Sequence, residues 1–91
     1  MFQVGQDITQ YTLLRCLGTG GAAEVWLARH RHLDVEVALK LLNSRSPSLR
    51  TRLVREGRAQ ASLDHPNLLT VRDILEDSGH LALVLPLVRG P

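Results

Sequence analysis

Cysteine is nearly absent. Cys16 is the only one among 91 residues, so no disulfide can form within the chain, which fits a reducing compartment. Aromatic residues are almost as scarce, with Phe2, Tyr11 and Trp26 the whole set. Long apolar runs are missing too: the longest, residues 81–88 (LALVLPLV), falls well short of the ~20 needed to span a bilayer, and it contains Pro86. It reads as a buried strand. The first residues, MFQVGQD, have neither the basic start nor the apolar run of a signal peptide. The expected location is therefore the cytoplasm, with no membrane segment. No fixed-period repeat or low-complexity stretch interrupts the chain.

What is present is ordinary for a small globular protein, with 44% hydrophobic and 22% charged residues. A chain of this length hides only roughly 60–65% of the surface its unfolded form exposes, which leaves room for one core and no second domain. The net charge is +2, and five of the ten arginines fall between Arg45 and Arg58. Such a cluster can be a nucleic-acid footprint or the solvated face of a helix. All three aromatic residues lie upstream of it, so no stacking platform sits among these cations, and nucleic acid is not an expected partner.

Hydrophobic patterning predicts five strands and one helix. Residues 11–17 run into a glycine cluster, residues 25–29 follow it, and in residues 35–42 Val35, Val37, Leu39 and Leu41 share one face at period two. Ser46 as N-cap and Pro47 at the first helical position start a helix expected over residues 48–62, with Leu49, Leu53, Gly57 and Ala61 as a thin stripe. Gly57 weakens that helix by ~1 kcal/mol relative to alanine. His65, before Pro66, ends it. Strands over residues 69–75 and 80–85, joined by a turn at residues 76–79, complete an α+β fold: a mainly antiparallel five-stranded sheet with one principal helix.

Three features carry chemistry. In residues 17–25 (LGTGGAAEV), glycines at 18, 20 and 21 free the backbone to approach a ligand closely, as phosphate-cradling loops require, although plain hairpins also gather glycines. In residues 37–40 (VALK), Lys40 is the only lysine of the chain, a compact ammonium on the strand that follows the glycine hairpin. Glu56 is the only acidic residue between Glu36 and Asp64 and sits mid-helix among arginines. Pairing with those arginines is its bland alternative.

The order of these features resembles the amino-terminal lobe of protein kinases: glycine loop, Val-Ala-Leu-Lys, a helix with Arg-Glu, His-Pro-Asn nine residues later, then two strands. The resemblance covers roughly residues 9 to 90, and the Gly-Thr-Gly-Gly form is most similar to bacterial serine/threonine kinases. It implies that amides of Gly18, Thr19, Gly20, Gly21, Ala22 and Ala23 cover the phosphates of ATP. It also implies that Lys40 contacts the α and β phosphates, held by an ion pair with Glu56. Val25 and Ala38 are expected on the adenine face, Leu17 at its edge, Leu85 at the back of the pocket, and Pro86 to Val88 at the hinge. Pro86 keeps the carbonyl that a hinge needs, and Val88 supplies the amide.

Two departures from the family pattern stand out. Gly57 replaces a usual alanine, which is expected to loosen the hold on Glu56, and everything after the hinge is expected to be missing; Ala23 holds the place of the third loop glycine, which bacterial serine/threonine kinases often replace. Residues 1–91 are expected to be an incomplete lobe, with the catalytic base and the Mg2+-holding residues in the missing half. The segment VRDIL at residues 71–75 echoes the family's catalytic loop but lacks its histidine and its asparagine, and it lies on a predicted strand. On this reading the chain alone binds ATP weakly and transfers no phosphate, and a protein substrate enters only with the other lobe. Self-association is expected through the apolar edge of the last strand.

Two other readings use the same residues. Residues 18–23 also satisfy the dinucleotide fingerprint Gly-x-Gly-x-x-Gly/Ala, which demands a helix beginning inside the glycine loop, a parallel sheet, and an acid ~20 positions on. That position holds Ala38 to Lys40. A non-catalytic, pseudokinase-like interaction module shares the kinase fold and differs only in the other half.

Overall fold

The structure, a computed structural model, describes residues 2–61 and 71–87. Its elements in chain order are β1 (Asp7–Ile8), β2 (Tyr11–Gly20), β3 (Ala23–His30), β4 (Glu36–Leu42), α1 (Pro47–Ala61), β5 (Asp73–Asp77) and β6 (His80–Pro86). The strands form one sheet in the order β1-β2-β3-β4-β6-β5, and every pairing is antiparallel. This is the expected α+β architecture with one strand more. The extra strand, β1, is two residues long, too short to leave an alternation in the sequence.

The two edges of the sheet come together. The backbone N–H of Thr9, in the turn after β1, donates to Asp77 Oδ2 at the end of β5 over 2.7 Å, so the sheet curls toward a barrel. Inside the curl lies a core that includes Ile8, Leu13, Trp26, Leu39, Leu41 and Val84. Alternation sends Leu42, Leu81 and Leu83 to the other face, where they pack with Leu53 of α1 and with Val71. Val37, Leu39 and Leu41 are buried as the period-two pattern predicts, whereas Val35 is exposed in the turn before β4.

Local chemistry sets the element boundaries. Ser46 starts the helix through its carbonyl, which accepts from Arg50 N at 3.0 Å, and its hydroxyl meets that of Ser48 at 3.1 Å. The helix thus begins at Pro47, one residue before its expected start, and the expected end at Ser62 and the His65-Pro66-Asn67 stop lie outside the described residues. The β5–β6 turn is tighter than the sequence suggested. Ser78 and Gly79 both take positive φ, 53° and 84°, which makes a two-residue hairpin turn and leaves Glu76 and Asp77 in the strand. Consequently β5 lies over Asp73–Asp77, not over residues 69–75, of which 69 and 70 lie outside the described residues.

Candidate functional site

The glycine cluster is not one loop but mostly strand. Gly18, Thr19 and Gly20 continue β2, register shifts fall between Leu13 and Arg15 and between Cys16 and Gly18, and the chain reverses at Gly21 and Ala22. Gly21 turns with a φ of +57°, a conformation that strains a side chain and that glycine takes without cost. Gly18 and Gly20 are not under that constraint: neither has positive φ, and a Cβ at either would meet nothing within 4 Å. The fold itself leaves both free to carry side chains. Their absence keeps an exposed stretch of backbone bare, the condition for amides to approach a ligand.

Pairing across the sheet gathers the other candidates. Gly18 stands opposite Val25, Val25 opposite Lys40, and Lys40 opposite Leu83. In a neighbouring row Ala38 lies between Leu27 and Leu85. Directly opposed residues share a sheet face, so Val25, Ala38, Lys40 and Leu85 lie on the face that α1 covers. Ala38 is buried, Val25 and Leu85 are half-buried, and Leu17 is exposed. Pro86 pairs with Val37 at the end of β6, beyond the last partner of β5, where the missing N–H breaks no ladder with that strand. Val88 lies outside the described residues.

Lys40 Nζ donates to Glu56 Oε1 at 2.8 Å, joining β4 to the middle of α1. Glu56 therefore reaches across to the sheet, and among the described residues it forms no ion pair with its helix neighbours Arg52 and Arg55. Side-chain exposures of 29% and 35% leave the pair partly in water, so its direct contribution to stability is at most about 1 kcal/mol. Its consequence is positional: the ammonium is fixed over the row that starts at Gly18.

Gly57 has a packing reason that the sequence does not show: a Cβ there would lie 2.8 Å from Leu83 Cδ2 and 3.2 Å from Ile74 Cδ1. The missing side chain allows α1 to come close to β5 and β6 right beside Glu56.

These elements match a known family. Residues 11–91 fit the family model described as the protein kinase domain. The chain belongs to the protein kinase family. It is 44% identical over 85 residues to serine/threonine-protein kinase PkaB of Streptomyces coelicolor, covering 90% of this chain and 20% of PkaB. It is 40% identical over 89 residues to serine/threonine-protein kinase PknF of Mycobacterium tuberculosis, covering 94% of this chain and 19% of PknF. The crystal structure of the Mycobacterium tuberculosis PknI kinase domain superposes with a TM-score of 0.74 at 33% identity, covering 97% of this chain and 37% of that one. The chain thus spans about a fifth of the length of these curated relatives.

Within this kinase fold the dinucleotide reading fails, because the sheet is antiparallel and the glycine cluster leads into a strand, not a helix. The VRDIL segment is structural: Arg72 N donates to Val84 O at 2.7 Å, and Asp73 opens β5. Among the described residues no helix is long and apolar enough to cross a membrane, and no three His, Cys, Asp or Glu side chains gather as a metal site.

The sequence reading missed Glu24. Only 7% exposed, it accepts from Trp26 Nε1 at 3.0 Å and from Asn43 Nδ2 at 3.2 Å, while Asn43 N donates to Ala22 O. These bonds tie the tip of the glycine hairpin to the end of β4. The available signal is a carboxylate two residues before the only tryptophan.

Proposed function

We propose that this chain is the ATP-binding lobe of a serine/threonine protein kinase, with residues 1–91 as the amino-terminal part of the kinase domain. The observation that carries this reading is the 2.8 Å contact between Lys40 Nζ and Glu56 Oε1, on the register row that begins at Gly18. A triphosphate needs several donors and a fixed cation to offset its charge. Bare backbone from Gly18 through Ala23 supplies the amides, and Lys40 supplies the cation at the α and β phosphates. Glu56 restrains the lysine so that little ordering remains to be done when the nucleotide arrives.

Val25 and Ala38 offer a flat apolar surface to adenine, with Leu17 at its edge. Leu85 backs the pocket, the Pro86 carbonyl accepts from the purine, and Val88 donates its amide. The residues fit the ligand: Ala38 and Val25 lie beside Lys40 on its own face, and the loop glycines leave room where phosphate oxygens must approach. Mg2+ accompanies ATP in the whole kinase and shields its phosphate charge, and the protein substrate and catalytic base belong to that whole protein. The cytoplasm is the compartment that supplies this nucleotide.

Amide-resolved nuclear magnetic resonance of the chain titrated with magnesium-ATP tests the reading. Shifts concentrated at residues 18–23 and around Lys40 support it. Shifts confined to the arginines of α1 sink it.

A further inference from the structure

The tip of the glycine hairpin is gripped from the side of the sheet away from Lys40. Glu24 stands in a row between Thr19 and Leu41, and Trp26 stands between Cys16 and Leu39. Alternation puts these side chains on the face opposite Val25 and Lys40, so Glu24 does not reach the phosphate side of the hairpin. There its carboxylate, 7% exposed, accepts from Trp26 Nε1 at 3.0 Å through Oε1 and from Asn43 Nδ2 at 3.2 Å through Oε2. Asn43 N donates to Ala22 O at 2.5 Å, which carries the β3–β4 ladder one step past its last pair, Ala23 with Leu42.

The bare strand has little other hold. Among the described strands, Gly18, Thr19 and Gly20 pair only with β3, at Val25, Glu24 and Ala23, while the pairing of β1 stops at Tyr11 and Thr12. Whatever direction β3 takes at its start, these three residues follow. An apolar side chain at position 24 would extend the core of Trp26, Leu39 and Leu41 without the cost of desolvating a charge. The carboxylate adds what an apolar group cannot, directional bonds that fix the angle of the tip.

Building on the ATP-binding reading, we infer that Glu24 is a positioning residue of the phosphate site. It touches no nucleotide. Through Asn43 it ties the turn at Gly21 and Ala22 to the end of β4, three residues beyond Lys40, so that the hairpin amides and the lysine ammonium keep one spacing. With this tie cut, the tip is free to tilt away from Lys40 and the phosphates lose donors. Val25 and Ala38, further along the sheet, still meet the adenine.

Nuclear magnetic resonance of the full chain, titrated with magnesium-ATP or with adenosine, tests this at temperatures well below each variant's melt. Trp26 is the only tryptophan, so its indole N–H gives a single resonance. That resonance is expected to move with ATP, in step with the amides of residues 18–23, and to stay in place with adenosine. A Glu24 that merely fills the fold leaves it unmoved by either. Glu24→Ala is expected to weaken ATP about fivefold and adenosine hardly at all, and Asn43→Ala, which keeps the indole bond, to weaken ATP about threefold. Asn43 is exposed, so this second variant decides the matter where Glu24→Ala unfolds. Glu24→Gln, whose amide oxygen still accepts from the indole, is expected to stay within about twofold of the parent. An indole resonance indifferent to ATP, or folded variants that bind ATP as the parent does, overturns the inference. A parent chain that binds ATP no better than adenosine overturns the ATP-binding reading itself, and this inference with it.

Discussion

The Cβ that an alanine would add at Gly57 falls 2.8 Å from Cδ2 of Leu83, and Leu83 stands directly opposite Lys40 in the sheet. This close approach of helix to sheet thus sits beside the Lys40–Glu56 contact, with neighbouring residues on both sides. Alanine gains about 1 kcal/mol of helix propensity over glycine, whereas an extra methyl forced into a packed core costs about 1–3 kcal/mol. Leu83 is fully buried, with little room to turn away. Gly57→Ala is therefore expected to be no more stable than the parent in urea or thermal unfolding. A gain of about 1 kcal/mol would show that propensity alone governs this position.

Glu24 is expected to hold the hairpin tip. Replacing it with alanine takes the acceptor from Trp26 Nε1, a buried donor, and removes one of the partners of the exposed Asn43. A buried donor left unpaired costs about 1–3 kcal/mol, so Glu24→Ala is predicted to lose about 1–3 kcal/mol, and Glu24→Gln, which keeps an acceptor, clearly less. Trp26 is the only tryptophan, so its fluorescence reports on this environment directly during urea titration. Equal losses for the two variants would mean that the hydrogen bonds contribute little.

Tyr11 links the edges of the curled sheet to pH. Its hydroxyl is held above its ordinary pKa, chiefly by burial and then by the negative charge of Asp73, with Arg72 opposing. The fold thus favours the neutral phenol. That contribution is fully present below the unfolded value of about 10 and is lost as pH rises through the higher folded value. Because Tyr11 is the only tyrosine, absorbance of the tyrosinate follows it alone. The folded chain is expected to titrate above the unfolded chain, and Tyr11→Phe to lose less stability in alkali. A folded midpoint at or below the unfolded one contradicts this.

The main sheet, the helix and the Lys40–Glu56 candidates were legible because each left a local mark. Val37, Leu39 and Leu41 alternate, Ser46-Pro47 opens the helix, and Lys40 and Glu56 are isolated by charge or type among arginines. What depends on distant partners was not legible. β1 exists because Asp7 and Ile8 find β2, and the sheet curls because Thr9 meets Asp77, 68 residues away. Gly57 looked like a weak point since propensity is local, while its reason is a leucine in β6. Glu24 looked like a loop acid because its partners, an indole and an amide, are fixed only once β3 and β4 pair.

Calorimetric titration with magnesium-ATP, set against adenosine and repeated on Lys40→Met, tests the phosphate site most directly. Lys40 and the glycine backbone are open to water, where attraction between charges at contact falls to about 1 kcal/mol, so binding is expected to be weak. The account predicts that ATP binds better than adenosine and that Lys40→Met removes most of this difference while leaving adenosine unaffected. Binding of ATP that is unchanged by Lys40→Met would contradict it.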